Sequence, residues 1–348
     1  MPLLHGFPNA IDRNTKVFVM KIVVLDGWTL NPGDNPWDEV AALGDLTVYD
    51  RTDPEEIVNR AAGAEIVLTN KTPLQEGTLT RMPHLRLIAV LATGYNVVDV
   101  AAAGLLGIPV VNVPEYGTAS VAQHAIALLL ELSNRVGLHG DAVRHGEWLQ
   151  SHDFCFSKSP LTELTGKRFG VVGFGRIGQQ TALIARALGM EILAYNHRPK
   201  DTPPDLPVTW VDLQELFASA DVVSLHCPLT RDNGGFVNSR LLSSMKRTAF
   251  LVNTSRGALV NEWDLAEALH AGKIAGAALD VLSREPHAPD NPLISAPNCI
   301  ITPHIAWATR EARQRLMSAT AANIRAFLAG KPINIVNGEF LTEELGRD

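Results

Sequence analysis

The chain has 348 residues, of which 46% are hydrophobic and 19% charged, a balance typical of a folded globular protein that excludes disorder as its main state. Its 30 Lys and Arg residues against 37 Asp and Glu residues give a formal charge of −7, and the lack of a basic block argues against a nucleic-acid binder. Three widely spaced cysteines, Cys155, Cys227 and Cys299, form no disulfide or zinc pattern and indicate a reducing, cytoplasmic location.

The first part of the chain predicts a parallel α/β domain. Residues 1–19 precede the first convincing strand and are interpreted as an N-terminal extension. The stretch 52–63 has the signals of a helix, with Asp53 as N-cap, Pro54 in the first turn and Gly63 at the end. Strands that alternate with such helices predict a parallel sheet covered on both faces. The expected strands are 19–25, 46–49, 65–69, 87–91 and 109–113.

A long helical pattern at 118–136 predicts a core helix that links this domain to a second one. Residues 139–165 look irregular, and a second series of strands and helices follows. The helix expected at 310–328 ends at Gly330, and the last 18 residues suggest a short strand and a tail. The strands expected in the second series are 169–172, 192–195, 222–225, 249–252, 276–279 and 299–301.

The strongest motif is a glycine-rich loop between a strand and a helix. Gly173 permits a tight turn, Gly175 lets the backbone approach a pyrophosphate, and Gly178 lets helix and strand pack closely. The free N–H groups and positive end of the helix would face the phosphates. Because the flanking strand, helix and second strand are all present, the motif predicts dinucleotide binding. The loop residues assigned to the cofactor are Gly173, Phe174, Gly175, Arg176, Ile177 and Gly178.

The end of the second strand leaves the choice between NAD and NADP open. An acidic residue is expected there to hold the adenosine ribose, but the chain has Asn196, followed by His197 and Arg198. Asn196 can bond a hydroxyl and does not repel a 2′-phosphate, and Arg198 either attracts such a phosphate or is a solvated surface charge. The predicted cofactor is therefore NAD, with NADP as an alternative.

Three residues near later strand ends carry groups that can bind a carboxylate or move a proton. Arg256 follows the run AFLVN and can grip a carboxylate with two parallel hydrogen bonds. His304 follows CIITP, and an imidazole is a side chain that can give or accept a proton in catalysis. A carboxylate such as Glu285 beside it would favour the protonated imidazole and fix its tautomer. Taken singly, each residue is more simply explained as a structural or surface group.

Five motifs in order carry a family resemblance: GFGRIG, HCPLT (226–230), NTSRG (253–257), DV followed by EP (280–286) and TPHIA (302–306). Over about residues 20–335 the chain resembles the D-isomer-specific 2-hydroxyacid dehydrogenases. The segments ATGYN, YGTASVAQH and HIAWAT resemble the glycerate dehydrogenase, or hydroxypyruvate reductase, branch most. The resemblance implies catalytic roles for Arg256, Glu285 and His304, with Arg256 on the substrate carboxylate and the His304–Glu285 pair as acid and base.

The resemblance also implies the architecture. Its fold class is α/β, with two doubly wound parallel-sheet domains, a Rossmann cofactor domain inserted into a flavodoxin-like substrate domain. The substrate domain is expected at 20–117 and 309–348, and the dinucleotide-binding domain at 118–308. Family members are generally dimers, so a homodimer is expected, with the helix at 118–136 and the stretch around Trp148 at the interface.

Further site residues follow from the resemblance alone. Lys71, Thr93 and Gly94 are expected near the substrate carboxylate, although Lys71 can equally be read as a solvated lysine. Trp307 either shapes the substrate pocket or packs between the domains. Asp280 matches the position that bonds the nicotinamide amide. The other positions assigned to the cofactor are His226, Cys227, Pro228, Thr254 and Ala306.

Other interpretations are weaker. The cluster His139, His145, His152 and Cys155 lacks a known structural zinc spacing, so no metal is predicted. The longest apolar run, 100–111, is broken by glycine and proline and is too short for a membrane span. A corepressor that senses NADH would keep the same residues and is the alternative outside enzymes. Within the enzymes, glyoxylate and D-lactate remain alternative substrates to hydroxypyruvate.

Overall fold

The computed structural model describes residues 19–198 and 201–341. The described residues divide into two compact units. One is made of the residues up to Tyr116 together with those from Gln314 onward, and the other of Gly117–Arg313. The predicted N-terminal extension, apart from its last residue, lies outside the described residues. Each unit is built on a purely parallel β-sheet.

The first unit has a five-stranded sheet in the order β2-β1-β3-β4-β5, the doubly wound order of flavodoxin-like folds. The central strands β3 and β4 are buried along their whole length, which explains why they read as continuous runs of apolar residues. The elements are β1 (Lys21–Val24), α1 (Asp38–Ala41), β2 (Asp45–Val48), α2 (Ile57–Arg60), β3 (Ile66–Thr69), α3 (Glu76–Leu79), β4 (Leu87–Val90), α4 (Val100–Leu105) and β5 (Val110–Val111).

The second unit has a seven-stranded sheet in the order β12-β11-β10-β9-β6-β7-β8. The chain runs outward from β6 in both directions, which is the Rossmann arrangement, and the order reverses between β6 and β9. The elements are α5 (Thr118–Asn134), α6 (Val136–Arg144), β6 (Arg168–Val172), α7 (Arg176–Ala187), β7 (Glu191–Tyr195), β8 (Val208–Trp210), α8 (Leu213–Ser219), β9 (Val222–Leu225), α9 (Ser239–Ser244), β10 (Phe250–Asn253), α10 (Glu262–His270), β11 (Gly276–Leu279) and β12 (Cys299–Ile301). A last helix, α11, covers Arg310–Leu328, and from Gln314 onward it belongs to the first unit. The predicted fold class is confirmed.

One local prediction is wrong. The long helix expected at about 118–136 is present and ends at Asn134, where Arg135 takes a left-handed backbone conformation with φ 51°. A separate helix, α6, then covers the start of the stretch 139–165, which was expected to be irregular. In the described part of the tail, Ile335 forms an isolated bridge with Val111 and not a longer strand, and residues 342–348 lie outside the described residues.

The capping prediction at 52–63 holds only in part. Asp53 occupies the N-cap position without a side-chain hydrogen bond, and a 3₁₀ turn at Pro54–Glu56 precedes the short helix α2. Gly63 has a φ of +71°, as expected for a residue that closes a helix. Among the described residues, no helix combines the length and apolar character needed to cross a bilayer.

Candidate active site

The candidate cofactor residues lie at one edge of the seven-stranded sheet. Because all of its strands are parallel, their carboxyl ends meet at the same edge, where ligands of open α/β sheets bind. Five predicted positions follow five strand ends there: Gly173 after β6, Asn196 after β7, His226 after β9, Thr254 after β10 and Asp280 after β11.

The three glycines of the loop have distinct surroundings. Gly173 has a φ of +95°, and a Cβ there would lie 2.5 Å from the backbone nitrogen of Cys227. A Cβ on Gly178 would lie 2.3 Å from the carbonyl oxygen of Gly173. In contrast, a Cβ on Gly175 would meet no described atom within 4 Å. The first and third glycines are thus required by packing, and the second faces open space at the start of α7, as pyrophosphate binding requires.

The residues beside this loop are tied to it. Phe174 is fully buried against Trp210, with ring centroids 5.3 Å apart, and its backbone N–H donates to Asn196 Oδ1 over 3.2 Å. Asn196 in turn donates from Nδ2 to the carbonyl oxygen of Arg198 over 2.5 Å. His197 and Arg198 are exposed. The amide of Asn196 therefore links the end of β7 to the glycine-rich loop.

Three polar side chains at the carboxyl edge of the seven-stranded sheet are uncharged at pH 7. Burial lowers the pKa of His226 to about 4, so its ring is neutral at pH 7 and contacts Ser224 Oγ at 2.9 Å. Burial likewise raises the pKa of the Cys227 thiol to about 11. Thr254 Oγ1 is buried and has no hydrogen-bond partner among the described residues. An unsatisfied buried hydroxyl at this edge, together with the open space at Gly175, fits a bound dinucleotide.

Arg256 lies on a braced turn after β10. The buried Asn253 accepts a hydrogen bond from the Ser255 N–H over 3.0 Å and donates to the Arg256 carbonyl over 2.9 Å. The Arg256 side chain is exposed, and its Nη1 donates to the Ser255 carbonyl over 2.7 Å. A Cβ on the next residue, Gly257, would lie 1.9 Å from the carbonyl carbon of Leu282. Only glycine lets this turn touch the loop that carries Glu285.

His304 and Glu285 form a hydrogen-bonded pair. His304 Nδ1 lies 2.6 Å from Glu285 Oε2, and the side chains are 27% and 36% exposed. The other carboxylate oxygen, Oε1, accepts from the Leu282 N–H over 3.1 Å, which orients the acid. Because Nδ1 is engaged by the carboxylate, Nε2 is the ring atom available to exchange a proton with a ligand.

Asp280 holds the backbone that carries His304. Its side chain is 1% exposed and accepts hydrogen bonds from Thr302 Oγ1 over 2.6 Å and from the N–H groups of Ile305 and Ala306 over 2.9 and 2.8 Å. Burial raises the pKa of Asp280, but hydrogen bonds, among them one from His124, outweigh that effect and leave the pKa below its usual value.

Two anchors of this site were not predicted. Glu262 in α10 accepts from the Ser283 N–H over 2.6 Å and from Asn291 Nδ2 over 2.8 Å, so it holds the loop of Glu285 on both sides. Asn253 is the other. Asn253 lies in the NTSRG motif and could have been found there, whereas nothing in the sequence around Glu262 separates it from an ordinary helix carboxylate.

The remaining predicted positions in this unit have simple locations. Arg176 and Ile177 are the first two residues of α7. Pro228 is exposed, and Trp307 is half-buried just beyond the His304 turn.

The predicted substrate residues Lys71, Thr93 and Gly94 belong to the first unit. They follow the neighbouring strands β3 and β4, so they share the carboxyl edge of the five-stranded sheet. Asp26, after β1, accepts from the N–H groups of Lys71 and Thr72 over 2.5 and 2.8 Å. Burial raises the pKa of Asp26 despite these hydrogen bonds. Asp26 was not predicted, and it fixes the backbone at Lys71.

Known proteins resemble the chain in sequence and in structure. It is 51% identical over 321 residues to a hydroxypyruvate reductase of Blautia hydrogenotrophica, covering 91% of this chain and 100% of that protein. It is 43% identical over 285 residues to a glycerate dehydrogenase of Methylorubrum extorquens, covering 81% and 88%. An NADPH-dependent glyoxylate/hydroxypyruvate reductase from Sinorhizobium meliloti, solved with NADP and malonate, matches with a TM-score of 0.79 and 29% identity over 91% of this chain and 96% of that one.

Residues 126–306 match the NAD binding domain of the D-isomer specific 2-hydroxyacid dehydrogenases. This stretch contains the glycine-rich loop, the Arg256 turn and the His304–Glu285 pair. With relatives of 51% and 43% identity over most of its length, the chain belongs to the D-isomer specific 2-hydroxyacid dehydrogenase family of NAD(P)-dependent oxidoreductases.

Proposed function

We propose that the chain reduces hydroxypyruvate to D-glycerate and catalyses the reverse oxidation, with glyoxylate as a second substrate. The observation that carries the proposal is the 2.6 Å contact between His304 Nδ1 and Glu285 Oε2. The loop that carries Glu285 also touches the turn that carries Arg256, where Leu282 lies against Gly257. The relatives named hydroxypyruvate reductase and glycerate dehydrogenase support this choice of substrate.

Each of the three proposed catalytic side chains has a distinct role. Arg256 binds the substrate carboxylate and polarises the keto oxygen with its guanidinium. His304 donates a proton from Nε2 to that oxygen in reduction and takes it back in oxidation. Glu285 accepts from Nδ1, which fixes the tautomer and orientation of the ring. On the family resemblance alone, Lys71, Thr93 and Gly94 are proposed as further substrate-binding residues and Trp307 as a residue of the substrate pocket.

The cofactor would be held at the carboxyl edge of the seven-stranded sheet. The backbone at Gly175 and the first turn of α7 would bind its pyrophosphate. Thr254 Oγ1 would gain a partner, and Asp280 would receive the nicotinamide amide. When bound in its reduced form, the nicotinamide supplies the hydride to the keto carbon. Asn196 leaves both NADH and NADPH acceptable, since an amide bonds a ribose hydroxyl and does not repel a 2′-phosphate.

The wider organisation is also proposed. The segments 20–117 and 309–348 are assigned to the substrate and 118–308 to the dinucleotide. The chain is proposed to act in the cytoplasm, which its widely spaced cysteines support. It is also proposed to form a homodimer, which the exposed apolar residues after α6 support. Those residues include Leu149 and Phe154, which are 92% and 90% exposed.

The first test combines a substrate panel with a substitution at the histidine. Hydroxypyruvate, glyoxylate, pyruvate and 2-oxobutyrate are each offered with NADH and with NADPH while absorbance at 340 nm is followed. His304→Asn keeps an N–H donor for Glu285, but its amide cannot donate a proton to the substrate or take one back. It is expected to lower kcat by about two to four orders of magnitude with unchanged cofactor affinity.

Two outcomes would contradict the proposal. Near-normal turnover of the His304→Asn protein would remove the histidine from catalysis. Tight NADH binding by the wild-type protein without turnover of any keto acid would instead favour the corepressor-like sensor.

A further inference from the structure

The helix α5 carries a histidine that the proposed mechanism does not use. His124 is 22% exposed, and its Nε2 lies 3.1 Å from Thr302 Oγ1 and 3.5 Å from Asp280 Oδ1. These partners directly follow the strands β12 and β11. His124, on helix α5, therefore contacts the ends of two strands, β11 and β12, and the turn that carries His304 follows the second of them.

Hydrogen-bond directions around Thr302 determine where His124 carries its proton. A threonine hydroxyl has one proton to donate, and Thr302 donates it to Asp280 Oδ1 over 2.6 Å. Since that proton is already used, Nε2 of His124 must be the donor in its contact with Thr302 Oγ1. His124 thus supplies an N–H group to the Thr302 hydroxyl and lies beside a carboxylate that is 1% exposed.

The next step leads from Asp280 to the catalytic histidine. Besides the side-chain bonds already described, the Asp280 carbonyl accepts from the His304 N–H over 2.8 Å. His304 has a φ of +54°, in the left-handed region that a histidine rarely adopts. Such a conformation persists only where the surroundings hold it. The surroundings here are the side chain and carbonyl of Asp280, which Thr302 and His124 hold in place.

We propose that His124 is a positioning residue: through Thr302 and Asp280 it holds the 302–306 segment so that His304 meets its substrate in a fixed orientation. The proposal rests on the proposed catalytic role of His304. It predicts that the donor on His124, and not merely its bulk, is needed for turnover. A small displacement of a catalytic group lowers the rate of the chemical step more than it weakens ligand binding.

The test compares three variants of the full chain with cofactor and hydroxypyruvate. His124→Leu removes the donor and keeps an apolar side chain, His124→Gln keeps an N–H donor of similar reach, and Gln123→Ala alters the exposed neighbour on the same helix. We expect His124→Leu to lower kcat by about 10- to 100-fold, with KM and the Kd of the cofactor unchanged. His124→Gln should recover most of the rate, and Gln123→Ala should match the wild type.

Two further measurements separate positioning from packing. ¹⁵N NMR of labelled histidine should find His124 protonated on Nε2 at neutral pH. Thr302→Val should reproduce the loss of kcat while Thr302→Ser retains the rate, which tests the same link if His124→Leu does not fold.

Several results would overturn the proposal. One is a normal kcat in His124→Leu. Another is an equal fall in kcat in His124→Leu and His124→Gln that parallels the fall in their melting temperatures. A third is a His124 ring that carries its proton on Nδ1 and not on Nε2. Failure of the proposed function is distinguishable, because it would appear as turnover in His304→Asn. An inactive His304→Asn beside a fully active His124→Leu would reject only the role of His124.

Discussion

His304 shows at the scale of one residue how the site is held ready. Its φ of +54° is unfavourable for a residue with a Cβ, and hydrogen bonds to Asp280 and Glu285 compensate. Thr254 is the opposite case, because its buried hydroxyl has no partner in the described part of the chain. The backbone of His304 is held by bonds within the protein, whereas the proposed cofactor contact would give Thr254 its partner.

Thr254 gives a prediction at this scale. Replacing it with Val removes the unsatisfied hydroxyl at nearly constant volume. We expect the free protein to become more stable, since burying an unpaired polar group costs about 1–3 kcal/mol. The cofactor should bind more weakly for the same reason. Thermal unfolding with and without NADH or NADPH measures both effects, and Thr254→Ser is the matched control. Weaker binding in Thr254→Ser than in Thr254→Val would argue against the assigned contact.

At the scale of elements, the site depends on loops that follow neighbouring strands. The turn after β10 carries Arg256 and the loop after β11 carries Glu285, and the two meet where Gly257 lies against Leu282. Glu262 in α10 fastens the second loop from its other side. The sheet thus fixes where the two loops begin, and the contact between the loops holds Arg256 and Glu285 on neighbouring segments.

Gly257→Ala tests this contact. Its added methyl group would lie 1.9 Å from the carbonyl carbon of Leu282, so the backbone must move. We expect the Arg256 turn and the Glu285 loop to separate, with a fall in kcat/KM of about 100-fold or more. Steady-state kinetics and melting temperature are the measurements. Gly234→Ala is the control, because a Cβ there would meet no described atom within 4 Å. Unchanged kcat/KM in Gly257→Ala would show that the contact is dispensable.

In the whole molecule, the seven-stranded unit is inserted in sequence between two segments of the first unit, the second of which contains most of α11. The seven-stranded unit also carries an apolar surface after α6. Leu149 and Phe154 are nearly fully exposed there, and Trp148 Nε1 donates to the Phe154 carbonyl over 3.0 Å. Large exposed apolar side chains in one segment are typical of a surface that is covered in an assembly.

The homodimer proposal predicts the effect of charging that surface. Leu149→Asp with Phe154→Asp should shift the protein from dimer to monomer, because charge at a dimer interface loses its hydration. Size-exclusion chromatography with light scattering measures the mass. Exposed Leu105→Asp, in the first unit and outside this segment, is the control. A wild-type protein that is already monomeric, or a double variant that stays dimeric, would contradict the assignment of the interface.

Local patterns in the sequence were enough to predict the class of fold and the family. Alternating apolar strands and helices specify parallel sheets, and the order of motifs around the glycine-rich loop identifies the family. Local patterns carried this information because the alternation of apolar residues and the spacing of the glycines are properties of consecutive residues. The same patterns missed α6, since Gly137 and Gly140 lower its helix propensity and its start depends on the left-handed Arg135.

Tertiary structure alone decided how the site is braced. The 2.6 Å contact of His304 with Glu285, the approach of Gly257 to Leu282 and the donor on His124 join segments far apart in sequence. No periodicity records such contacts, because they depend on the register of parallel strands and on the packing of loops at their ends. Residue types therefore suggested an arginine, a carboxylate and a histidine for the site, while the packed loops set the distance between the last two.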